Sequence, residues 1–201
     1  MRSFIAAAAG LSAAVSAAAA QDGVVNDIGL SVEVGGQYLH GEFDSATESA
    51  EIGILAAVVR IAYEVETRSD LIPRIALELE GMTGVTEGDA DSSFGEGVFR
   101  VDEEADVRLN YSAGLFTTAH SDFSKNWGGQ ARAGLVIAEV ETTVRNTLAQ
   151  ERQVSETSFS PALGVGIKRR IGGKSSIRLD ATYYLFEDEY LAGGLTFRHT
   201  F

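Results

Sequence analysis

Chemistry in this chain would have to come from few groups. Histidine occurs three times, at positions 40, 120 and 199, and cysteine is absent. A Ser-His-acid mechanism needs a base within hydrogen-bond reach of a hydroxyl and a carboxylate that orients it. His120 precedes Ser121 and Asp122. Sequence neighbours in a turn do not converge on one point, however, and serine and aspartate are ordinary turn residues. His40 lies near Glu42 at a strand end, and His199 shares its parity with apolar residues. His40 and His120 are thus the only candidate bases, and no enzymatic activity is expected. Metal chemistry is no better supplied. The stretch DADSSFGE offers oxygens to calcium or magnesium but lacks the D-x-[DN]-x-[DN]-G spacing, and no HExxH occurs. Neither a metal nor another cofactor is expected.

The charged residues say more, through their spacing. Glu33, Arg60, Glu64, Arg74, Glu78, Glu80, Arg108, Arg132, Lys168, Arg178, Asp180 and Arg198 each fall opposite a run of apolar residues at period two. That is the alternation of a β-strand, whose successive side chains point to opposite faces. Eight such segments are expected, at 28–40, 52–66, from 74, 106–118, 129–141, 158–169, 176–186 and 190–201. Pro161 marks a strand end or bulge, and Gly172-Gly173 suits a tight hairpin. The links alternate: polar, acidic loops near 42–51, 86–106 and 143–157, and mostly shorter turns between them. An up-and-down meander would gather those loops at one end, the asymmetry of outer-membrane barrels.

The N-terminal stretch 1–20 has Arg2, an apolar run from 4 to 20 and small residues before Gln21. It reads as a secretory signal peptide, leaving 21–201 as one barrel domain. No apolar run of 18 residues follows, so no membrane-spanning helix is expected there. The formal charge of −13, or −14 without Arg2, excludes the basic face of a nucleic-acid binder.

Two barrels share this pattern. A soluble one puts the apolar face inside; a membrane one puts it outside, with polar residues in the lumen. At eight strands the lumen is only wide enough for side chains to fill, which argues against a wide pore. The expected luminal set is mixed in sign and so can pair, as buried charge requires, with Gly164 and Gly166 leaving room for long arginines. Tyr38, Tyr63, Tyr183 and Tyr190 lie near strand ends on the apolar parity, as an interfacial girdle would. The expected fold is therefore an all-β, eight-stranded antiparallel up-and-down transmembrane β-barrel.

The terminal LTFRHTF, with Phe197 and Phe201 on the apolar parity, resembles the C-terminal signal of Gram-negative outer-membrane barrels. LNYSAGLFTTA, ARAGLVIAEVE and LGVGIKRRIGGKSSIRLDATYYLF resemble small porin-family proteins of the outer membrane protein A-like type. The resemblance spans most of 28–201. It departs at His199, where the signal is usually apolar, and no peptidoglycan-binding domain follows the barrel, so it implies no cell-wall anchoring. It implies that Phe197 and Phe201 are read by the barrel-assembly machinery. The partners it implies are outer-membrane lipid and lipopolysaccharide, for a monomer in the cell outer membrane. A structural, envelope-integrity role with exposed acidic loops is the leading expectation. A surface adhesion or ligand-binding barrel and a lipid A-modifying enzyme are the alternatives, along with a soluble periplasmic barrel around an apolar ligand.

Overall fold

The computed structural model describes residues 28–44, 49–72, 74–94, 101–146, 151–171, 173–186 and 189–201. The expected signal peptide 1–20 and the tips of the three acidic links lie outside them. Nine strands follow in order: β1 (Ile28–Asp44), β2 (Ser49–Glu66), β3 (Arg74–Gly84), β4 (Gly88–Phe94), β5 (Val101–Asp122), β6 (Trp127–Asn146), β7 (Glu151–Arg170), β8 (Ser175–Leu185) and β9 (Glu189–Thr200). Among the described residues no helix is long and apolar enough to cross a membrane.

Every strand pairs antiparallel with its sequence neighbour or closes the ring. The order β3-β2-β1-β9-β8-β7-β6-β5-β4 is joined into a ring by the β3–β5 pairing. β3 and β4 both lie along β5, β3 against Met82–Ser112 to Arg74–His120 and β4 against Gly88–Val107 to Phe94–Val101. They are two pieces of one stave, so nine strands make eight staves. At the break, Val85 and Thr86 donate their N–H groups to Leu55 O at 2.7 and 3.2 Å, and Thr86 Oγ1 accepts from Leu55 N at 2.9 Å.

The register fixes the tilt. One line of partners runs Ile52, Gly41, Tyr190, Tyr184, Ala162, Gly134, Phe116, Glu78 and Ala62. It leaves β2 at residue 52 and returns at 62, a stagger of 62 − 52 = 10 residues. Such a stagger is what closure with tilted strands requires. Ring closure also removes the sheet edges of β1 and β9, which pair with each other from Ser31–Thr200 to Gly41–Tyr190.

The faces are inverted relative to a soluble barrel. Leu30, Val59, Leu79, Leu135, Val165, Leu179 and Leu195 are 47–63% exposed on the outside. Arg60, Arg132 and Arg178 are at most 1% exposed inside. Burying arginine while exposing leucine is unfavourable in water and favourable in lipid. The lumen is not uniform. Its turn-side half holds the charges; its other half holds Leu39, Ile52, Ile54, Val58, Leu109, Val136 and other apolar residues in one cluster.

Four expectations need correction. The acidic links are mostly ladder. β1 reaches Asp44, β4 and β5 pair over Gly88–Val107 to Phe94–Val101, and β6 and β7 pair up to Arg145–Glu151. Backbone bonding sustains these hairpins even where the sequence looks like loop. Second, Arg108 is not luminal. A register shift between Leu109 and Tyr111 bulges Asn110 out of the β5–β6 ladder. A bulge reverses parity, so Val107 and Leu109 point inward and Arg108 outward, its side chain 54% exposed beside Glu87. Third, Tyr190 shares the inward parity of Ala192 and Gly194 and packs edge-on against Phe186, with centroids 6.2 Å apart. It is no part of an outer girdle. Fourth, His120 belongs to β5 rather than to a turn.

Pro161 sits where β7 loses a neighbour. β7 pairs with β6 throughout, but with β8 only from Ala162 onward. A residue without an N–H is tolerated where the ladder ends on one side.

Candidate functional site

Three arginines organise the turn-side lumen. Arg60, Arg132 and Arg178 come from β2, β6 and β8, and their burial obliges them to find carboxylates. Arg60 Nε donates to Glu80 Oε2 at 2.6 Å, while its Nη1 and Nη2 reach the two oxygens of Asp180 at 3.2 and 3.1 Å. Glu33 and Glu78 stand 3.6 and 3.8 Å from the same guanidinium. Arg132 donates to Glu80 at 2.7 Å and lies 2.9 Å from Glu78. Its guanidinium carbon stands 3.5 Å from the Phe116 ring centroid, a cation–π contact. Arg178 Nη1 donates to Glu33 and Glu78 at 3.1 and 2.9 Å, and its Nε is 3.4 Å from Asp180.

Neutral groups complete the network. Thr196 Oγ1 donates to Glu33 at 3.2 Å and Gln37 Nε2 to Asp180 at 3.3 Å. Gln130, with its amide oxygen turned inward, accepts from Arg178 Nη2 at 2.8 Å. Tyr184 O–H donates to Glu80 at 3.1 Å and so forms the lid between charged and apolar halves. Space for the long side chains comes from a missing one: a Cβ at Gly164 would lie 2.8 Å from Arg132 Cγ and 2.8 Å from Thr182 Oγ1.

A second cluster lies nearer the turns. Arg198 Nη2 is 2.8 Å from Glu64 Oε1, an ion pair, and His120 Nε2 is 3.2 Å from the same oxygen, both without hydrogen-bond alignment. Arg74 lies 3.8 Å from Glu64 and donates to Asp122 at 2.6 Å. Arg170 donates to the same Asp122 oxygen at 2.6 Å, and Lys168 Nζ is 3.9 Å from Asp122. The fully buried ionic residues of the two clusters balance, with Arg60, Arg132, Lys168, Arg178 and Arg198 facing Glu33, Glu64, Glu78, Glu80 and Asp180. A neutral, interlocked set suits a plug rather than a charge-selective path.

The structure thus gathers every expected luminal residue except Arg108. It adds Gln37, Gln130 and Tyr184, which share the polar parity but carry no charge, and Asp122, His120 and Phe116, which the parity argument did not place. His120 carried an available signal, since it shares the inward parity of Thr118 in its strand. Phe116 did not, because an inward phenylalanine in a polar row looks like an exception until Gly114 and Gly134 are seen to make room for its ring.

The candidate bases do not assemble a triad. Ser121 follows His120 on a strand and so faces the opposite way, and Asp122 is taken up by arginines. His40 has the outward parity of Tyr38. His199 Nδ1 meets Ser175 Oγ at 3.1 Å, but the third neighbour is the Phe201 ring at 5.2 Å between centroids, not an acid. Among the described residues no group of three or more His, Asp or Glu side chains is arranged to hold a metal. Phe197 and Phe201 point outward at 44% and 67% exposure, and Phe201 N donates to Leu30 O at 2.9 Å.

No protein-family model matches the chain, and no curated protein matches it. Solved structures do. Neisserial surface protein A (NspA) is 14% identical, with 86% of this chain and 97% of that one covered at a TM-score of 0.53. Ail, the attachment invasion locus protein of Yersinia pestis, is 12% identical over 86% and 98%, at 0.49. The N-terminal β-barrel domain of Pseudomonas aeruginosa OprF is 14% identical over 86% and 97%, at 0.49. At 14% identity the likeness to NspA extends to architecture alone: both are small, closed antiparallel β-barrels, eight staves in this chain.

Proposed function

We propose that this protein is a structural component of the outer membrane, contributing to envelope integrity and presenting the hairpins around 42–51, 86–106 and 143–157 to the exterior. One observation carries this reading: leucine and valine coat the outside while five buried cations and five buried carboxylates share the inside. Lipid accounts for the first and a closed, tilted barrel for the second. Its direct partners are the acyl chains of outer-membrane lipid and lipopolysaccharide. The assembly machinery reads β9 through Phe197 and Phe201, and the chain works as a monomer after loss of residues 1–20. A plugged lumen supports a role other than diffusion, and scattered histidines support a role other than catalysis.

The test combines location with phenotype. The protein should fractionate with the outer membrane and migrate differently on a denaturing gel before and after boiling. A deletion strain should become sensitive to detergent while its lipid A acylation is unchanged. Release with the soluble periplasm would refute the reading of the fold in its membrane, and altered lipid A acylation would favour an enzyme. Lost surface binding with intact detergent resistance would favour an adhesin.

A further inference from the structure

Above the ionic plug the lumen is not filled. A cavity of 410 Å³ lies in the apolar half of the barrel. This falls in the size range of small-molecule sites. Its floor is Tyr184 and Met82, and Leu39, Ile54, Leu109 and Val140 form much of its wall. Phe186 and Tyr190 add an aromatic side, with Tyr184 and Phe186 stacked at 6.2 Å between centroids. Thr142, Val154 and Glu156 stand at its rim, on the parts of β6 and β7 that reach beyond the β7–β8 pairing.

Two serines break the apolar lining near the floor, Ser112 and the less buried Ser158, level with each other on either side of Ala138. Ser112 is 4% exposed, lies level with Met82 and Ala138 in the ladder, and lines the cavity. Its Oγ has no hydrogen-bond partner among the described residues. Leaving a buried hydroxyl unpaired is costly, so a bound group that pairs with it gains that interaction. Among the described residues no lysine or arginine lines the cavity, and the one acid that does, Glu156, is at the rim. A carboxylate or phosphate would enter without a counter-charge. Cavities walled by Leu, Ile and Phe stay dry and take apolar molecules.

We propose that the outer half of the barrel is a binding site for a compact, neutral molecule with an apolar ring skeleton and a single hydroxyl or carbonyl, which pairs with Ser112. This inference rests on the membrane-barrel reading, so folding is measured separately in the same samples by heat-modifiable migration. Met82 is the only methionine apart from Met1. Its methyl group, labelled with carbon-13, reports on the cavity floor in the full chain reconstituted in lipid nanodiscs. Titration with 2-naphthol should shift that resonance to saturation. Ser112→Ala should weaken 2-naphthol about tenfold, the loss of one hydrogen bond, and leave naphthalene unchanged. Ala138→Phe should abolish both by filling the space. In heat-modifiable protein, a shift that never saturates, equal effects of Ser112→Ala on both probes, or magnetisation transfer from lipid acyl chains to the Met82 methyl without probe would overturn the proposal.

Discussion

Arg60 faces four carboxylates and is fully shielded from solvent, and the cost of disturbing it follows from that. Replacing one partner of a buried ionic set leaves the others uncompensated, at about 3–5 kcal/mol. Arg60→Met should therefore lower the urea midpoint of the folded, unboiled band sharply, by that order of stability. Arg60→Lys keeps the charge but cannot address Glu80 and Asp180 together as a fork does, so an intermediate loss is expected. Gly164→Leu should act on the same network from outside it, because a side chain there collides with Arg132 Cγ, 2.8 Å from where its Cβ would sit. A loss of at least about 1–3 kcal/mol, typical of overpacking, is expected in the same urea assay. At this scale the sequence was legible wherever parity held. Arg60, Glu64, Arg178 and Asp180 could be placed inside because each sits in an unbroken period-two run. Asp122 could not, since it ends a strand and looks like turn chemistry until three basic side chains converge on it.

β5 shows how one residue rewrites an element. Upstream of Asn110 the odd positions Val107 and Leu109 face inward; downstream the odd positions Tyr111 and Leu115 face outward, at 45% and 48% exposure. Alternation alone carries a single phase along the strand, so Arg108 was assigned to the lumen. Nothing in VRLNYS except the tolerance of asparagine for irregular backbone hints at the break. The absence of cysteine makes the point testable. Arg108→Cys should react rapidly with a membrane-impermeant maleimide, and Leu109→Cys should react far more slowly, since buried thiols are inert. Equal labelling would mean that the bulge is absent. The long strands had a similar cause. β5, β6 and β7 run for 22, 20 and 20 residues, against 11 and 12 in β8 and β9. A spanning strand needs roughly 9–11 residues. The surplus is polar ladder outside the apolar band, held by backbone bonds that leave little trace in hydrophobic periodicity.

The whole molecule is a closed wall around a lumen with two halves. Its up-and-down order, inverted faces and stave number were readable because lipid and ring closure both act on every strand at once. The apolar upper lumen was not. In ILAAVV both parities are hydrophobic, so the run identifies a strand without saying that Ile54 and Val58 line an interior space. The ionic half predicts an electrically silent protein. In planar bilayers it should give no stable conductance, since eight staves leave no aqueous channel and Arg60, Arg132 and Arg178 fill what space remains. Steady ohmic steps from the purified protein would mean that the plug opens.

The inversion of faces is tested most directly on β9 with nitroxide spin labels at Leu195→Cys, Thr196→Cys and Phe197→Cys in proteoliposomes. Labels at 195 and 197 should be accessible to oxygen and shielded from a water-soluble nickel complex, as lipid-facing sites are, while the label at 196 should be shielded from both. Labels at 195 and 197 buried from oxygen, with 196 open to the nickel complex, would mean that the apolar face lies inside and would contradict the account.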